Sequence, residues 1–355
     1  MNRNRQKDRD RMRLLVSALE PSSNLHLKFL LKEFENVDIV GIFDRNLGES
    51  LYGMDEFSVM GVVDVLAKYF KGKEAIAKMV SLSKNCDKVL LIDAPAFNIP
   101  LARAIKKRYP TKEIIYYILP KVWAWKKNRA QLVDRYCDKL ASIFPFEKSF
   151  FKNAKYVGNP LLDEIDIKRD VTSDKETISF LPGSRKSEII RLMPVFKKIA
   201  KKLDNRRKLL VIPEFIDKDR IKKWYGDISF FEVVQDTHRA VAQSHFAFVC
   251  SGTATLETAL IGTPFVLVYK ARPLDYMIGR FFVKLSYVGL ANIIMDFEKR
   301  SPIHPELFQE DVNSNNLLKL YEIINRDHFE KKSKELKVIL KRGSAKQVAK
   351  MIIDE

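Results

Sequence analysis

Residues 180–188 read Phe-Leu-Pro-Gly-Ser-Arg-Lys-Ser-Glu, an apolar run entering a tight turn and then a helical pattern. Such a turn suits phosphate. Gly183 lets the backbone approach an anion, the first amides of the next helix offer unpaired donors at the positive end of its dipole, and Arg185 adds a forked donor. A βα turn with an exposed arginine is the plainer reading. A second stretch, Cys250-Ser251-Gly252-Thr253-Ala254-Thr255-Leu256-Glu257, also leaves an apolar strand and opens a helix. Here Ser251 and Thr253 bring hydroxyls, and Gly252 and Ala254 bring backbone amides. Glu257, about one turn on, can accept from a ribose diol. Taken alone, Ser-Gly-Thr is a common turn and Glu257 a solvated helix residue. Two such loops in one half of the chain point to a nucleotide diphosphate.

The first half supplies carboxylates. Asp93, in Leu91-Ile92-Asp93-Ala94-Pro95-Ala96-Phe97-Asn98, ends a strongly apolar strand, where partial burial would raise its pKa into the range of a general base. A turn-forming or helix-capping aspartate is the alternative. Glu20, in Glu20-Pro21-Ser22-Ser23-Asn24, occupies the equivalent place after the first strand. Trp123 and Trp125 are two of only three tryptophans, and with the adjacent lysines they read either as core packing or as a lipid-facing pair. The apolar segment at 57–66, which includes Met60, allows the same two readings. The five histidines show no metal-ligand spacing, so no metal site is expected. A Gly-x-Gly-x-x-Gly after the first strand, a Walker A loop and a Gly-x-Ser-x-Gly elbow are all missing, which argues against NAD enzymes, P-loop ATPases and serine hydrolases.

These residues need a scaffold that places loop after strand. Short Val/Ile/Leu/Phe-rich runs at 14–19, 38–43, 88–93, 113–119 and 141–146 alternate with helical patterns at 73–84, 99–108 and 128–139. That is the pattern of a parallel sheet with covering helices. A second series, at 177–181, 208–213, 228–234, 246–250 and 264–269, starts after Asn159-Pro160 and a charged stretch. The expected fold class is α/β, with two Rossmann-like doubly wound parallel-sheet domains facing a central cleft. The expected domains are residues 1–162, residues 163–330, and a C-terminal helix at 331–355 that packs back on the first domain and has a break at Gly343.

At 355 residues, with 46% hydrophobic and 30% charged residues, the chain is globular rather than disordered, and it is long enough for about two domains. Its formal charge of +18 predicts an anionic partner. Three widely spaced cysteines read as buried thiols. No apolar stretch reaches the roughly 20 residues of a membrane span, and nothing in the N-terminal sequence directs export, so a protein that is soluble or lies on a membrane is expected. The arm at 1–13 has six basic and two acidic residues, a net charge of +4 suited to an anionic membrane.

Several motifs occur together and in order: Glu20-Pro21-Ser22-Ser23-Asn24, Ser58-Val59-Met60-Gly61, the Asp93 motif, Val122-Trp123-Ala124-Trp125, Phe144-Pro145-Phe146-Glu147-Lys148, Leu181-Pro182-Gly183-Ser184-Arg185 and Ser251–Glu257. This series resembles the lipid-A-disaccharide synthases, and the resemblance runs from about residue 14 to about residue 310. It implies the two-domain glycosyltransferase B fold and an inverting transfer in lipopolysaccharide assembly. The implied substrates are UDP-2,3-diacylglucosamine and 2,3-diacylglucosamine 1-phosphate (lipid X), and the products are a β-1′,6-linked disaccharide and UDP.

By the same resemblance, Asp93 is the base, with Glu20 beside it. Gly183, Ser184, Arg185, Ser251, Gly252, Thr253, Ala254, Glu257, Asn292, Gln309 and Glu310 hold the nucleotide. Ser22, Met60, Asn98, Trp123 and Trp125 lie on the acceptor and lipid side. No cofactor is implied. The expected partners are the two substrates and the anionic cytoplasmic face of the inner membrane, not nucleic acid, and a homodimer is left open. Two departures stand out: Ser23-Asn24 replace the Gly-Asp usual in this family, and Ala96 replaces an acidic residue found in many members three positions after the aspartate. The rival readings are another UDP-sugar transferase or epimerase of the same fold, of the peptidoglycan N-acetylglucosaminyltransferase type, and a non-catalytic protein that binds anionic membranes.

Overall fold

The structure is a computed structural model that describes residues 11–52, 65–167, 169, 177–272 and 285–354, with side chains from residue 72 onward in the second stretch. Met60, its motif at 58–61 and residues 1–10 of the basic arm lie outside the described residues. The chain forms two compact units. One runs to Glu164 and is rejoined from Leu340 onward, and the other spans Ile165–Ile339.

Among the described residues, the first unit holds seven strands: β1 (Met12–Ala18), β2 (Val37–Ile42), β3 (Ser50–Tyr52), β4 (Lys88–Ile92), β5 (Glu113–Tyr117), β6 (Lys139–Ser142) and β7 (Ala154–Tyr156). They pair in parallel in the order β3-β2-β1-β4-β5-β6-β7. The second unit holds β8 (Thr177–Leu181), β9 (Arg207–Val211), β10 (Glu232–Val234), β11 (Phe246–Cys250), β12 (Phe265–Tyr269) and β13 (Glu306–Phe308). These also pair in parallel, in the order β10-β9-β8-β11-β12-β13.

Both sheets are doubly wound, as the alternation of apolar runs and helical patterns predicts. Their central strands are buried on both faces and so carry nearly uninterrupted apolar sequence; every residue of β8 and of β11 is buried. In each sheet the strand order reverses once, between β1 and β4 and between β8 and β11. A crevice opens at the carboxyl ends of strands flanking such a reversal, which is where this fold binds ligands. Glu20 follows β1, Asp93 follows β4, Gly183 follows β8 and Ser251 follows β11.

Three of the described strands were not predicted: β3, β7 and β13, each three residues long and too short to show a period of two. The expected strand at 141–146 begins and ends earlier, as β6, because residues 145–149 turn into a 3₁₀ helix. The C-terminal segment, expected as a helix over 331–355 with a break at Gly343, is two helices divided there. Arg326–Leu340 belongs almost wholly to the second unit, and Ser344–Ile353 packs in the first. Gly343 makes the break at φ +92°, a backbone region that disfavours side chains. Asp163 caps the new helix, accepting from the Gly343 and Ala345 amides at 2.7 and 3.2 Å. At the other end Lys88 donates to the Ile352 carbonyl at 2.6 Å and Lys139 to Met351 at 2.9 Å, so cations meet the negative end of the dipole.

Candidate functional site

In the second unit, β8 and β11 are neighbours, so the loops that leave them lie side by side. Gly183 adopts φ +93°, and a Cβ there would lie 2.6 Å from Glu188 Oε2 and 3.1 Å from Cys250 Sγ. The first loop therefore rests directly on the start of the second. Arg185 precedes the helix Lys186–Lys202, and buried Glu188 accepts from its amide at 3.3 Å and from its guanidinium at 3.0 Å. This pairing steers the arginine, yet its side chain remains 79% exposed and can reach a ligand. Ser184 is also exposed. Across from it, the helix Thr253–Ile261 begins at Gly252 with no side chain capping its first turn, which leaves that turn suited to an anion. Gly252 and Thr253 are exposed, Ser251, Ala254 and Glu257 half-buried. Glu257 has a partner that sequence reasoning missed: His238 Nε2 lies 3.5 Å from its Oε2, brought there by the short helix Thr237–Ala242.

Gln309 and Glu310 follow β13 on the same edge of the sheet. Gln309, at φ +49°, turns its amide back onto the chain leaving β12, accepting from the Ala271 amide at 2.8 Å and donating to its carbonyl at 3.4 Å. Glu310 is exposed. Asn292 is fully buried. Its Nδ2 donates to the His304 carbonyl at 2.9 Å and to Glu306 Oε1 at 2.8 Å, and its Oδ1 accepts from the Ile303 amide at 2.7 Å. A ligand atom would have to displace these bonds, which tie the start of the helix Leu290–Phe297 to the chain at 303–306. Burial lowers the neighbouring His304 to about 4, keeping its ring neutral against Phe265.

In the first unit, Asp93 and Ala94 stand at φ +50° and +42°. Two consecutive non-glycine residues in the left-handed region store backbone strain, which structures retain where surrounding bonds over-determine it. Those bonds are present. The Asp93 amide donates to the Tyr117 carbonyl at 3.0 Å, and the Asp93 carbonyl accepts from Asn98 Nδ2 at 2.8 Å and from the Tyr116 hydroxyl at 2.6 Å. Asn98 is fully buried, and its Oδ1 takes the Ser17 hydroxyl at 2.6 Å. Its amide is thus spent on holding Asp93 rather than being open to an acceptor. Burial raises the Asp93 pKa, while Lys121, the Ala94 amide and His26 pull it back.

Glu20 and Ser22 are exposed at the start of the helix Pro21–Leu31. Asn24, one of the family departures, is structural: it donates to the Ala18 carbonyl at 2.8 Å and accepts from the Asp44 amide at 2.7 Å, tying the β1 loop to the end of β2. The same helix carries His26, which sequence reasoning passed over. Its Nδ1 bonds Glu164 Oε1 138 positions away, a pairing no local pattern reveals.

The two tryptophans of the β5 loop part company. Trp123 is 7% exposed, packs edge-on to Phe144 and Phe146, and donates from Nε1 to Glu147 at 3.3 Å. Trp125 is 48% exposed, with Lys126 Nζ 4.4 Å from its ring centroid. Of the pair, Trp125 presents a face outward. Burial pushes the Glu147 carboxyl up to about 8, against the pull of Trp123 and the Phe144 and Ile143 amides. A pKa raised in the fold means the native state keeps a proton that the unfolded chain releases. The Glu147 contribution is therefore complete below pH 4.5 and declines as pH rises toward 8. Glu147→Gln should flatten this part of the stability profile, by up to about 1.4 kcal/mol per pH unit. Urea unfolding of both proteins across that range checks it, and parallel profiles would contradict it.

Among the described residues, no group of three or more His, Cys, Asp or Glu is placed to hold a metal ion, and no helix is long and apolar enough to cross a membrane.

A family model described as lipid-A-disaccharide synthetase matches residues 14–352. The lipid-A-disaccharide synthase of Helicobacter pylori (strain Shi470) is 47% identical over 351 residues, covering 95% of this chain and 96% of that protein. That of Campylobacter jejuni (strain RM1221) is 46% identical over 361 residues, covering 95% and 98%. Among solved structures, Acinetobacter baumannii MurG aligns with a TM-score of 0.59 at 13% identity, covering 97% of this chain and all of that one (100%). The UDP-GlcNAc 2-epimerase of Neisseria meningitidis bound to UDP-GlcNAc aligns with a TM-score of 0.59 at 12% identity, covering 97% and 99%. At such identities the likeness shows the fold, that of the glycosyltransferase B class.

Proposed function

Since the chain belongs to the lipid-A-disaccharide synthetase family, we propose that it joins UDP-2,3-diacylglucosamine to 2,3-diacylglucosamine 1-phosphate by inverting glycosyl transfer. Asp93 accepts the proton of the acceptor 6-hydroxyl as that oxygen attacks the donor's anomeric carbon. The bond from that carbon to the diphosphate breaks, and UDP leaves with the bonding electrons. Arg185 and the first-turn amides of the helix Thr253–Ile261 meet the charge that builds on the diphosphate, and Glu257 takes the ribose hydroxyls.

The observation that carries this reading is the pair of loops on neighbouring strands. Gly183 brings the arginine turn against Cys250, the last residue of β11 and two positions before the Gly252 cap of the uncapped helix, which places both loops at one locus for a diphosphate. The test is acceptor-dependent release of UDP from the acylated donor, with the disaccharide identified by mass. Transfer from a non-acylated UDP-sugar alone, or liposome binding without UDP release, would overturn the reading. Arg185→Ala should weaken UDP binding about 10- to 100-fold, the loss of a charge-assisted forked contact worth about 1.5–3 kcal/mol; unchanged affinity in calorimetry would remove Arg185 from the donor site.

The acceptor and product carry acyl chains, so the enzyme works at the cytoplasmic face of the inner membrane, held there by its basic field and by apolar residues such as Trp125. Binding to anionic vesicles should fall steeply as salt rises; binding insensitive to salt would assign the attachment to apolar contact alone.

A further inference from the structure

The first unit carries a concentration of positive charge well away from its candidate base. The helices Pro95–Arg108 and Asn128–Tyr136 pack side by side on one face of the sheet, which they seal with Leu101, Ala102, Ile105, Ala130 and Val133. Between their last turns opens a surface cleft of about 390 Å³, lined chiefly by Arg103, Lys106, Lys107, Arg135, Tyr136 and Asp138. That volume falls at the low end of the roughly 300–1,000 Å³ of small-molecule sites. Asp93 stands just before the first of these helices, whereas Lys107 lies 12 positions beyond its first residue, about 18 Å along the axis. An anion seated in the cleft is therefore not the substrate in reaction.

Four cations here face one carboxylate, and that carboxylate is engaged. Asp138 accepts from the Ile114 amide at 2.7 Å and from Lys106 Nζ at 2.8 Å, and Lys106 also donates to the Pro110 carbonyl at 3.3 Å. Arg103, Lys107 and Arg135 are exposed and form no ion pair among the described residues. Helix dipoles account for part of this charge, because Lys106, Lys107 and Arg108 end one helix and Arg135 ends the other. They do not account for Arg103, which stands more than a turn from the end, where the dipole has faded. Arg135 is steadied by its neighbour, its guanidinium carbon 5.5 Å from the Tyr136 ring centroid. Two forked donors and a lysine are thus left for an anion, the set that suits the oxygens of a phosphate.

The surroundings fit a phosphate carried by a lipid. Leu132 lies one turn before Arg135 on the same side of its helix and is 38% exposed. The outward-facing ring of Trp125 precedes the first residue of that helix by three positions. Apolar side chains and unneutralised cations therefore follow one another along a helix of about 14 Å, the pattern of a surface that rests on an anionic bilayer.

We propose that the cleft between these two helices seats the phosphate of an anionic phospholipid, so that the face bearing the helix Asn128–Tyr136 is the one the first unit lays on the membrane. Arg103 and Arg135 meet the phosphate oxygens from one helix each, Lys107 adds a third donor, and Leu132 enters the acyl boundary beside them. The proposal rests on the membrane attachment proposed above and names the face that makes it.

The test is sedimentation with phosphatidylcholine vesicles made with and without phosphatidylglycerol. Arg103→Gln/Lys107→Gln/Arg135→Gln should bind the phosphatidylglycerol vesicles about 100-fold more weakly, the loss expected for three basic residues at an anionic surface. A control takes the same charge from the other face of the sheet. Lys28, Lys346 and Lys350 are exposed on the helices Pro21–Leu31 and Ser344–Ile353. Leu30 and Val348 of those helices pack with Leu90 and Ile115, whereas the helices of the cleft pack with Val89 and Ile114, and successive strand residues point to opposite faces. Lys28→Gln/Lys346→Gln/Lys350→Gln should weaken binding by less than about threefold, since charges beyond a Debye length from the bilayer are screened. Equal losses in the two variants would assign the attachment to overall charge and overturn the proposal.

A second measurement locates the face directly. Cys86, Cys137 and Cys250 are buried, so a single introduced surface cysteine can carry an environment-sensitive fluorophore. Its emission should shift to shorter wavelength on phosphatidylglycerol vesicles in Leu132→Cys and stay unchanged in Lys346→Cys; equal shifts, or the reverse, overturn the proposal. Inorganic phosphate binding at the cleft, together with vesicle binding that the triple variant leaves intact, would assign the site to a soluble anion and overturn it as well. Failure of the unaltered protein to bind these vesicles would refute the membrane attachment itself, whereas binding that the triple variant retains in full refutes only the choice of face.

Discussion

Asp93→Asn should lower turnover by about 10²- to 10⁴-fold, the span of a lost general base, and leave UDP affinity essentially unchanged. The substitution is well isolated. Asparagine tolerates the left-handed backbone as readily as aspartate does, so φ +50° at this position is preserved. The bonds that lock the loop, from Asp93 N to Tyr117 O and from Asn98 and Tyr116 to Asp93 O, all use the backbone of residue 93 and survive the change. The side chain loses its ability to take a proton and little else. Steady-state UDP release, UDP calorimetry and thermal unfolding measured on one preparation separate the effects. Loss of turnover with intact binding and stability is the expected pattern, and full activity would remove Asp93 from the chemistry.

Gly183→Ala should disable the donor site through the backbone. Its φ of +93° costs a side chain roughly 1–2 kcal/mol. The added methyl would also meet Glu188 Oε2 at 2.6 Å and Cys250 Sγ at 3.1 Å. Glu188 is buried and engaged with Arg185, so relief moves the very arginine proposed to meet the diphosphate. We expect a total loss of about 2–3 kcal/mol in stability and at least about a tenfold loss in UDP affinity. Gly252 is the internal comparison. It has extended backbone at φ 160°, and a Cβ there meets no atom within 4 Å, so Gly252→Ala should change stability by less than about 0.5 kcal/mol. Equal unfolding midpoints for the two alanine variants would contradict the argument.

The amino-acid sequence alone determined the doubly wound sheets and the loops that leave their central strands. Strands covered on both faces must be apolar throughout, so β4, β8 and β11 announce themselves, and the residues directly after them are placed by the same rule. Asp93, Gly183, Arg185 and Ser251–Glu257 were legible on that ground, because each lies in the loop that directly leaves one of these strands. The three-residue strands were not, since they form only when a neighbouring edge is there to pair with.

Tertiary structure alone decided what the other polar residues do. The sequence marks Asn98 and Asn292 as polar groups beside ligand motifs, but a buried amide must satisfy its own hydrogen bonds, and these two spend theirs on Asp93, Ser17, His304 and Glu306. Trp123 and Trp125, two positions apart, are divided into a buried and an exposed ring by Glu147, which a turn after β6 brings beneath the first. The His26–Glu164 pair joins residues 138 positions apart. Periodicity and spacing report the faces of single elements. Which side chain meets which across elements is settled only when the sheet order and the packing of helices upon it are in place.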